Sequence, residues 1–165
     1  MYTCSVKLEE HLMQSRFKDD THRMNMHILV VARQVELLTR RLLQEYGISP
    51  PQYNVLRILR GQKGQPLAVQ ALAQRMIDPS SNTSRIVDRL VDNGWTERRT
   101  CPNDRRKADV TITKEGLSLL ADLDAPLDNL LNTTFDNIPA ETADALNAGL
   151  AQVLNNADAL LQSDN

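Results

Sequence analysis

Ser84-Arg85-Ile86-Val87-Asp88-Arg89-Leu90-Val91-Asp92-Asn93-Gly94-Trp95-Thr96-Glu97-Arg98-Arg99 is the stretch on which the fold turns. Ile86, Val87, Leu90 and Val91 recur at helical steps, which predicts a helix over 82–93 with those four residues on its buried face. Gly94 stops it, since glycine takes the left-handed position that ends many helices. The opposite side presents Asn82, Arg85 and Arg89 in one line. Ser80, Ser81, Thr83 and Ser84 crowd the start, placing short hydroxyls and free backbone N–H groups at the positive end of the helix dipole. Such an end meets phosphates, and Asn and Arg have the donor geometry for base edges in a major groove. The competing reading is a capped surface helix in which Arg89 pairs with Asp88 or Asp92.

Downstream, two short strands are predicted, Trp95–Cys101 and Ala108–Thr113, joined by the polar run Pro102-Asn103-Asp104-Arg105-Arg106-Lys107. Arg98 and Arg99 lead into this hairpin, and Arg105, Arg106 and Lys107 stand at its tip. A guanidinium on a two-stranded arm can enter a narrow, electronegative minor groove. Asp104, just before the arginines, is placed to orient one of them. A polar loop with incidental cations is the plainer alternative.

Upstream, Ile28, Val31, Val35, Leu38 and Leu42 alternate by three and four, giving a helix from about Asp19 to Tyr46 that ends at Gly47. Ser49-Pro50 caps and opens a second helix with Tyr53, Leu56 and Leu59 inward. Gly64-Gln65-Pro66 is a turn, and a short helix from Val69 to Met76 follows, inward at Leu72, Ala73 and Met76. Beyond the hairpin, Lys114-Glu115-Gly116 opens a long helix inward at Leu120, Leu123, Leu127 and Leu130, with a kink expected at Pro126. Asn137-Ile138-Pro139 breaks the chain. A final helix carries Leu146, Leu150, Val153, Ala157 and Leu160.

The fold class is therefore mainly α with a small β-hairpin: a winged helix-turn-helix over 49–114, with recognition helix 82–93 and wing 95–113. It is flanked by terminal helices at 19–46 and 115–162, all within one domain spanning 1–165. One chain of this size has little core left for both terminal seams, so pairing with a second copy is the economical use of them.

Net charge is −2 over 165 residues, which alone argues against nucleic acid. Its distribution argues the other way. All 19 basic residues lie at or before Lys114 together with twelve acids, a balance of +7, whereas nine acids and no base follow, a balance of −9. One end suits a polyanion and the other keeps the protein dissolved. Apolar runs are only a few residues long, too short to span a bilayer. Met1 to Lys7 lacks the basic and apolar regions of an export signal, and two cysteines make no disulfide framework, so the expected address is the cytoplasm.

Catalysis requires a convergent set of acid, base or nucleophile groups, and none is legible. There is no Gly-rich phosphate loop and no nucleophile elbow. His22 and His27 are five apart, about 140° around a helix, so they do not form a zinc pair. The expectation is no enzymatic activity, no metal and no cofactor.

Residues 67–116 resemble the MarR family of bacterial regulators. The resemblance rests on Ser84-Arg85-Ile86-Val87-Asp88-Arg89-Leu90, on Gly94-Trp95-Thr96-Glu97-Arg98-Arg99, and on Asp104-Arg105-Arg106 followed by Thr111-Ile112-Thr113-Lys114-Glu115-Gly116. It extends more loosely through Gln52-Tyr53-Asn54-Val55-Leu56 and the terminal helices. It implies a homodimeric, sequence-specific regulator of transcription acting on double-stranded DNA at a pseudo-palindromic operator. The implied recognition helix is 82–93 and the implied wing 98–111, with Asp104 and Arg106 matching the Asp-x-Arg of the wing. The expected DNA contacts are Ser81, Asn82, Thr83, Ser84, Arg85, Arg89, Arg98, Arg99, Asp104, Arg105, Arg106 and Lys107. Asp78-Pro79-Ser80-Ser81-Asn82 is a residue longer than the family's usual approach, and Trp95 replaces a smaller aliphatic residue.

The resemblance also implies control by a small-molecule effector or an oxidant. The ligand-binding residues are not legible, and for Cys4 and Cys101 an inert thiol is the simpler reading. The rival function is a winged-helix module that binds protein and no DNA, which salt-insensitive pull-down would distinguish.

Overall fold

The computed structural model describes residues 7–14, 16–79, 82–101 and 104–163, with the backbone alone for 100, 101 and 104–107. The chain divides into two compact units, Met1–Leu130 and Leu131–Asn165. The elements follow in the order α1 (Leu8–Leu12), α2 (Asp20–Glu45), α3 (Pro50–Gly61), β1 (Leu67–Ala68), α4 (Val69–Ala73), α5 (Thr83–Asp92), β2 (Thr96–Cys101), β3 (Asp104–Ile112), α6 (Lys114–Thr134) and α7 (Ala140–Ser163). The expected mainly α fold with a winged helix-turn-helix is present. Two elements were missed: the five-residue α1 and the two-residue β1.

Local sequence explains each boundary. Asp19 caps α2 by accepting the His22 N–H at 2.8 Å. Gly47, at φ 70°, turns the chain out of α2, and the Ile48 N–H closes back on the Leu43 carbonyl at 3.1 Å. Gln52 Oε1 accepts from both the backbone N–H and the hydroxyl of Ser49, at 3.0 and 2.8 Å, so α3 starts sharply at Pro50.

The core of the first unit gathers Leu43, Ile48, Val55, Leu56, Leu59, Leu72, Val87, Leu90, Val110, Leu120 and Leu123, all at most 2% exposed. Arg60 of α3 donates to both carboxylate oxygens of Asp124 on α6 at 2.9 Å, pinning these two helices at the core's edge. The two-stranded hairpin is extended into an antiparallel sheet of order β1-β3-β2, with Leu67 opposite Val110 and Ala68 opposite Asp109. The third strand escaped the sequence reading because two residues carry no period. Helix α6 continues through Pro126 to Thr134, so the proline costs one backbone hydrogen bond without ending the helix.

Apart from these packed elements, α2 buries only Leu43, and Ile28, Val31 and Leu38 of its seam are 37%, 50% and 37% exposed. In the second unit, α7 buries no residue at all. No helix among the described residues is long and apolar enough to cross a membrane.

Candidate nucleic-acid interface

Helix α5 is fastened from below and open above. Thr83, Val87 and Leu90, spaced by four and three, are 5%, 0% and 0% exposed. The sequence reading placed Val91 on this face and Thr83 outside it. The structure reverses them, because the packing stripe begins at the first helical residue and leaves Val91 37% exposed. Thr83 is therefore turned into the fold rather than toward solvent. Asn82 caps the helix by accepting the Arg85 N–H at 3.1 Å. Asn82, Ser84, Arg85 and Arg89 are exposed, and Asn82, Arg85, Ile86 and Arg89 line a shallow groove of about 250 Å³. Among the described residues, neither Arg85 nor Arg89 forms an ion pair.

Asp88 has a different partner from the Arg89 of the competing reading. Asp88 holds Arg98 of β2 at 2.6 Å, and the pair is half-exposed. Arg99 pairs with Glu97 two residues away at 2.8 Å. Both arginines leading into the wing are thus engaged with carboxylates. Pairs this exposed stabilise the fold by at most about 1 kcal/mol, so their effect is to set geometry and local charge. Asp88 and Glu97 were missed as members of the site. Their signal was an acid interrupting a cationic surface.

Where α5 meets the wing, Leu90, Gly94, Trp95, Thr113 and Gly116 form a tight junction. The Trp95 N–H returns to the Leu90 carbonyl at 2.9 Å, and Gly94 takes φ 74° to permit it. The Thr113 hydroxyl donates to the Gly94 carbonyl at 2.8 Å and accepts the Gly116 N–H at 3.1 Å, while the Thr113 N–H donates to the Trp95 carbonyl at 3.1 Å. A Cβ at position 116 would overlap the Trp95 carbonyl oxygen, so glycine is required there for contact and not for its dihedral freedom. This junction fixes the root of the wing to the end of α5 and the start of α6.

Along the wing, Thr96 to Thr100 pair with Ile112 to Ala108 in regular antiparallel register. The register then shifts, and Cys101 faces Asp104, which leaves residues 105–107 as an insertion on β3. Asp104 therefore begins a strand instead of lying in the expected loop. The side chains of Asp104, Arg105, Arg106, Lys107 and Cys101 lie outside the description, and Ser81 and Cys4 lie outside the described residues altogether.

On the side of α2, Glu36 accepts from Arg40 at 2.6 Å and from Arg33 at 2.9 Å. These hydrogen bonds, that from Arg40 foremost, hold its carboxyl below its ordinary value of 4.5. Burial pushes the Tyr53 phenol on α3 up from its ordinary value. A crevice of about 460 Å³ lies among Glu36, Arg40, Pro50, Pro51, Asn54, Met76, Ile77 and Asp78. Among the described residues no group of three His, Cys, Asp or Glu could hold a metal ion.

Residues 48–108 match the MarR family model. The transcriptional repressor MprA of Escherichia coli K12 is 28% identical over 136 residues, covering 81% of this chain and 77% of MprA. A mutant MarR from E. coli, solved in complex with operator DNA, superposes with a TM-score of 0.73 at 25% identity, over 85% of this chain and 99% of that one. A MarR-like transcription regulator from Bacillus cereus shares the fold with a TM-score of 0.75 at 20% identity, over 83% of this chain and 97% of that one.

Proposed function

We propose a homodimeric mode of action on duplex DNA for this chain, which belongs to the MarR family of transcriptional regulators. It is a regulator and not an enzyme, as its relatives are. The proposed dimer acts from the cytoplasm on a pseudo-palindromic operator, each copy a single domain over 1–165. Its recognition helix is 82–93, its wing 95–113, and its terminal helices 19–46 and 115–162 pair the copies. The observation that carries this reading is the exposed line Asn82, Arg85 and Arg89, cationic and without ion partners among the described residues, beside a wing root held rigidly at Gly94, Thr113 and Gly116.

In this reading Arg85 and Arg89 read base edges in the major groove, while Ser81 and Ser84 meet phosphate at the helix start. Arg106 enters the minor groove, Asp104 orients it, and Arg105 and Lys107 follow the backbone. Arg98 and Arg99, each tied to an acid, approach phosphate as paired groups. Thr83 supports the helix from beneath. The relative solved in complex with operator DNA supports duplex DNA as the partner. A small-molecule effector would occupy the crevice beside Arg40, whose volume of about 460 Å³ lies in the range of small-molecule pockets.

Footprinting on duplexes selected by the protein tests this. Two protected half-sites about 10 base pairs apart, or a multiple of that, are expected of paired recognition helices. One asymmetric half-site bound at full affinity would contradict the dimeric reading.

A further inference from the structure

Between α4 and α5 the described residues are 74–79 and 82, and where this approach is held bears on where the recognition helix begins. Met76 anchors its first part by burial, at 6% exposed. Ile77 does the reverse: 86% of it faces solvent, so its side chain supplies no packing. Its backbone is held instead. The Ile77 N–H donates to the carboxamide oxygen of Asn54 at 3.0 Å, bridging 23 residues of sequence.

Asn54 stands on a rigid base. Val55 and Leu56, the next two residues of α3, are wholly buried, and α3 is capped at Ser49 and tied to α6 through Arg60 and Asp124. A short side chain on such a helix places its acceptor within narrow limits, so the bond transfers the position of α3 to the loop ahead of α5. Asn82 then caps α5 only five residues after Ile77.

We infer that Asn54 is a positioning residue for DNA reading, fixing through the Ile77 N–H where α5 enters and hence where Arg85 and Arg89 fall against the bases. This rests on the DNA-binding reading of α5. Asn54 touches no base itself. Its loss widens the distribution of α5 positions, which lowers discrimination between sequences more than attraction to phosphate. The salt dependence of binding, which counts cationic contacts, stays unchanged.

The test compares the full-length wild type with Asn54→Ala and Asn54→Asp, the latter keeping an acceptor oxygen at the same reach. Each is titrated against a duplex selected by the wild type and a scrambled duplex, and amide exchange at Ile77 is followed in the free protein. In Asn54→Ala, Ile77 exchange should accelerate on the order of five- to tenfold, as loss of one hydrogen bond implies. The ratio of specific to scrambled affinity should fall by a similar factor with the salt slope unchanged. Asn54→Asp should keep the ratio and the protection, because its added charge weakens both duplexes alike. An unchanged ratio in Asn54→Ala overturns the inference, as does Asn54→Asp failing like the alanine variant. A purely stabilising role would lower the melting temperature while leaving the ratio intact, which also overturns it. If the wild type itself shows a ratio near one, the DNA reading fails, and that failure is visible before any variant is considered.

Discussion

Helix α5 buries Thr83, Val87 and Leu90 to 5% exposure or less inside its own unit, whereas α7 leaves Leu146, Leu150, Val153, Leu154, Leu160 and Leu161 between 41% and 69% exposed. Both helices are amphipathic by sequence. The difference is that the first finds its apolar complement within the chain and the second does not. On α5 the apolar stripe serves to aim the opposite, cationic face. On α7, and on the α2 seam of Ile28, Val31 and Leu38, the apolar stripe is itself the surface offered. Exposed apolar stripes of this kind mark interaction sites, and pairing with a second copy is the proposed use of each seam.

The largest effect should come from cutting the two stripes. Leu90→Ala should lower the unfolding free energy by about 2–5 kcal/mol, as expected of a fully buried leucine, at every protein concentration. Leu150→Ala should leave the folding of a single chain nearly untouched and weaken self-association instead, by roughly 1–3 kcal/mol for each leucine buried in the pair. Chemical denaturation at several concentrations separates the two. Concentration-independent loss in Leu150→Ala would dissolve the contrast between the helices.

Next in size is a contrast within the DNA-reading surface. Arg85→Ala should weaken specific binding by roughly 1–3 kcal/mol and relax preference at one position per half-site. Arg106→Ala should weaken binding to many sequences and flatten the salt slope by about one unit per lost contact, two in a dimer. Asp104→Ala should follow Arg106→Ala more mildly. Tighter binding after its removal would show that the carboxylate only repels phosphate. Salt titrations against selected and scrambled duplexes read all three.

How much of this was legible follows from what a local pattern can carry. The periods of 82–93 and 49–61 were long enough to yield helices, and Gly47, Gly94 and Ser49-Pro50 marked their ends. Which residue began the buried stripe of α5 was not legible. Thr83 and Val91 lie eight residues apart at opposite ends of the stripe, and the packing of α3, α4 and β2 against α5 decides which of them is buried. The Asp88–Arg98 pair spans the Gly94 turn, so no spacing rule on one helix could reveal it. The Asn54–Ile77 bond, 23 residues apart, is equally silent in sequence. Gly116 was quoted for its motif, but its physical reason, the Trp95 carbonyl against it, belongs to tertiary structure.

The smallest expected effect lies on α2. Glu36 is ion-paired when folded and its carboxyl sits below its ordinary value, chiefly through the Arg40 hydrogen bond. A lowered folded value means that the contribution is complete above the unfolded value of 4.5 and disappears as pH falls through the folded one. Arg40→Ala should raise the Glu36 titration toward its ordinary value in an NMR pH series, and an unmoved titration would remove the pair from solution.

The central claim, that two copies of this chain jointly hold one duplex through cationic faces, is tested most directly by sedimentation of the wild type with selected duplex across a salt series. The expected result is a free species of twice 18.6 kDa that binds as two chains per duplex, with affinity falling steeply as salt rises. A monomer of 18.6 kDa, or binding that ignores salt, would contradict it.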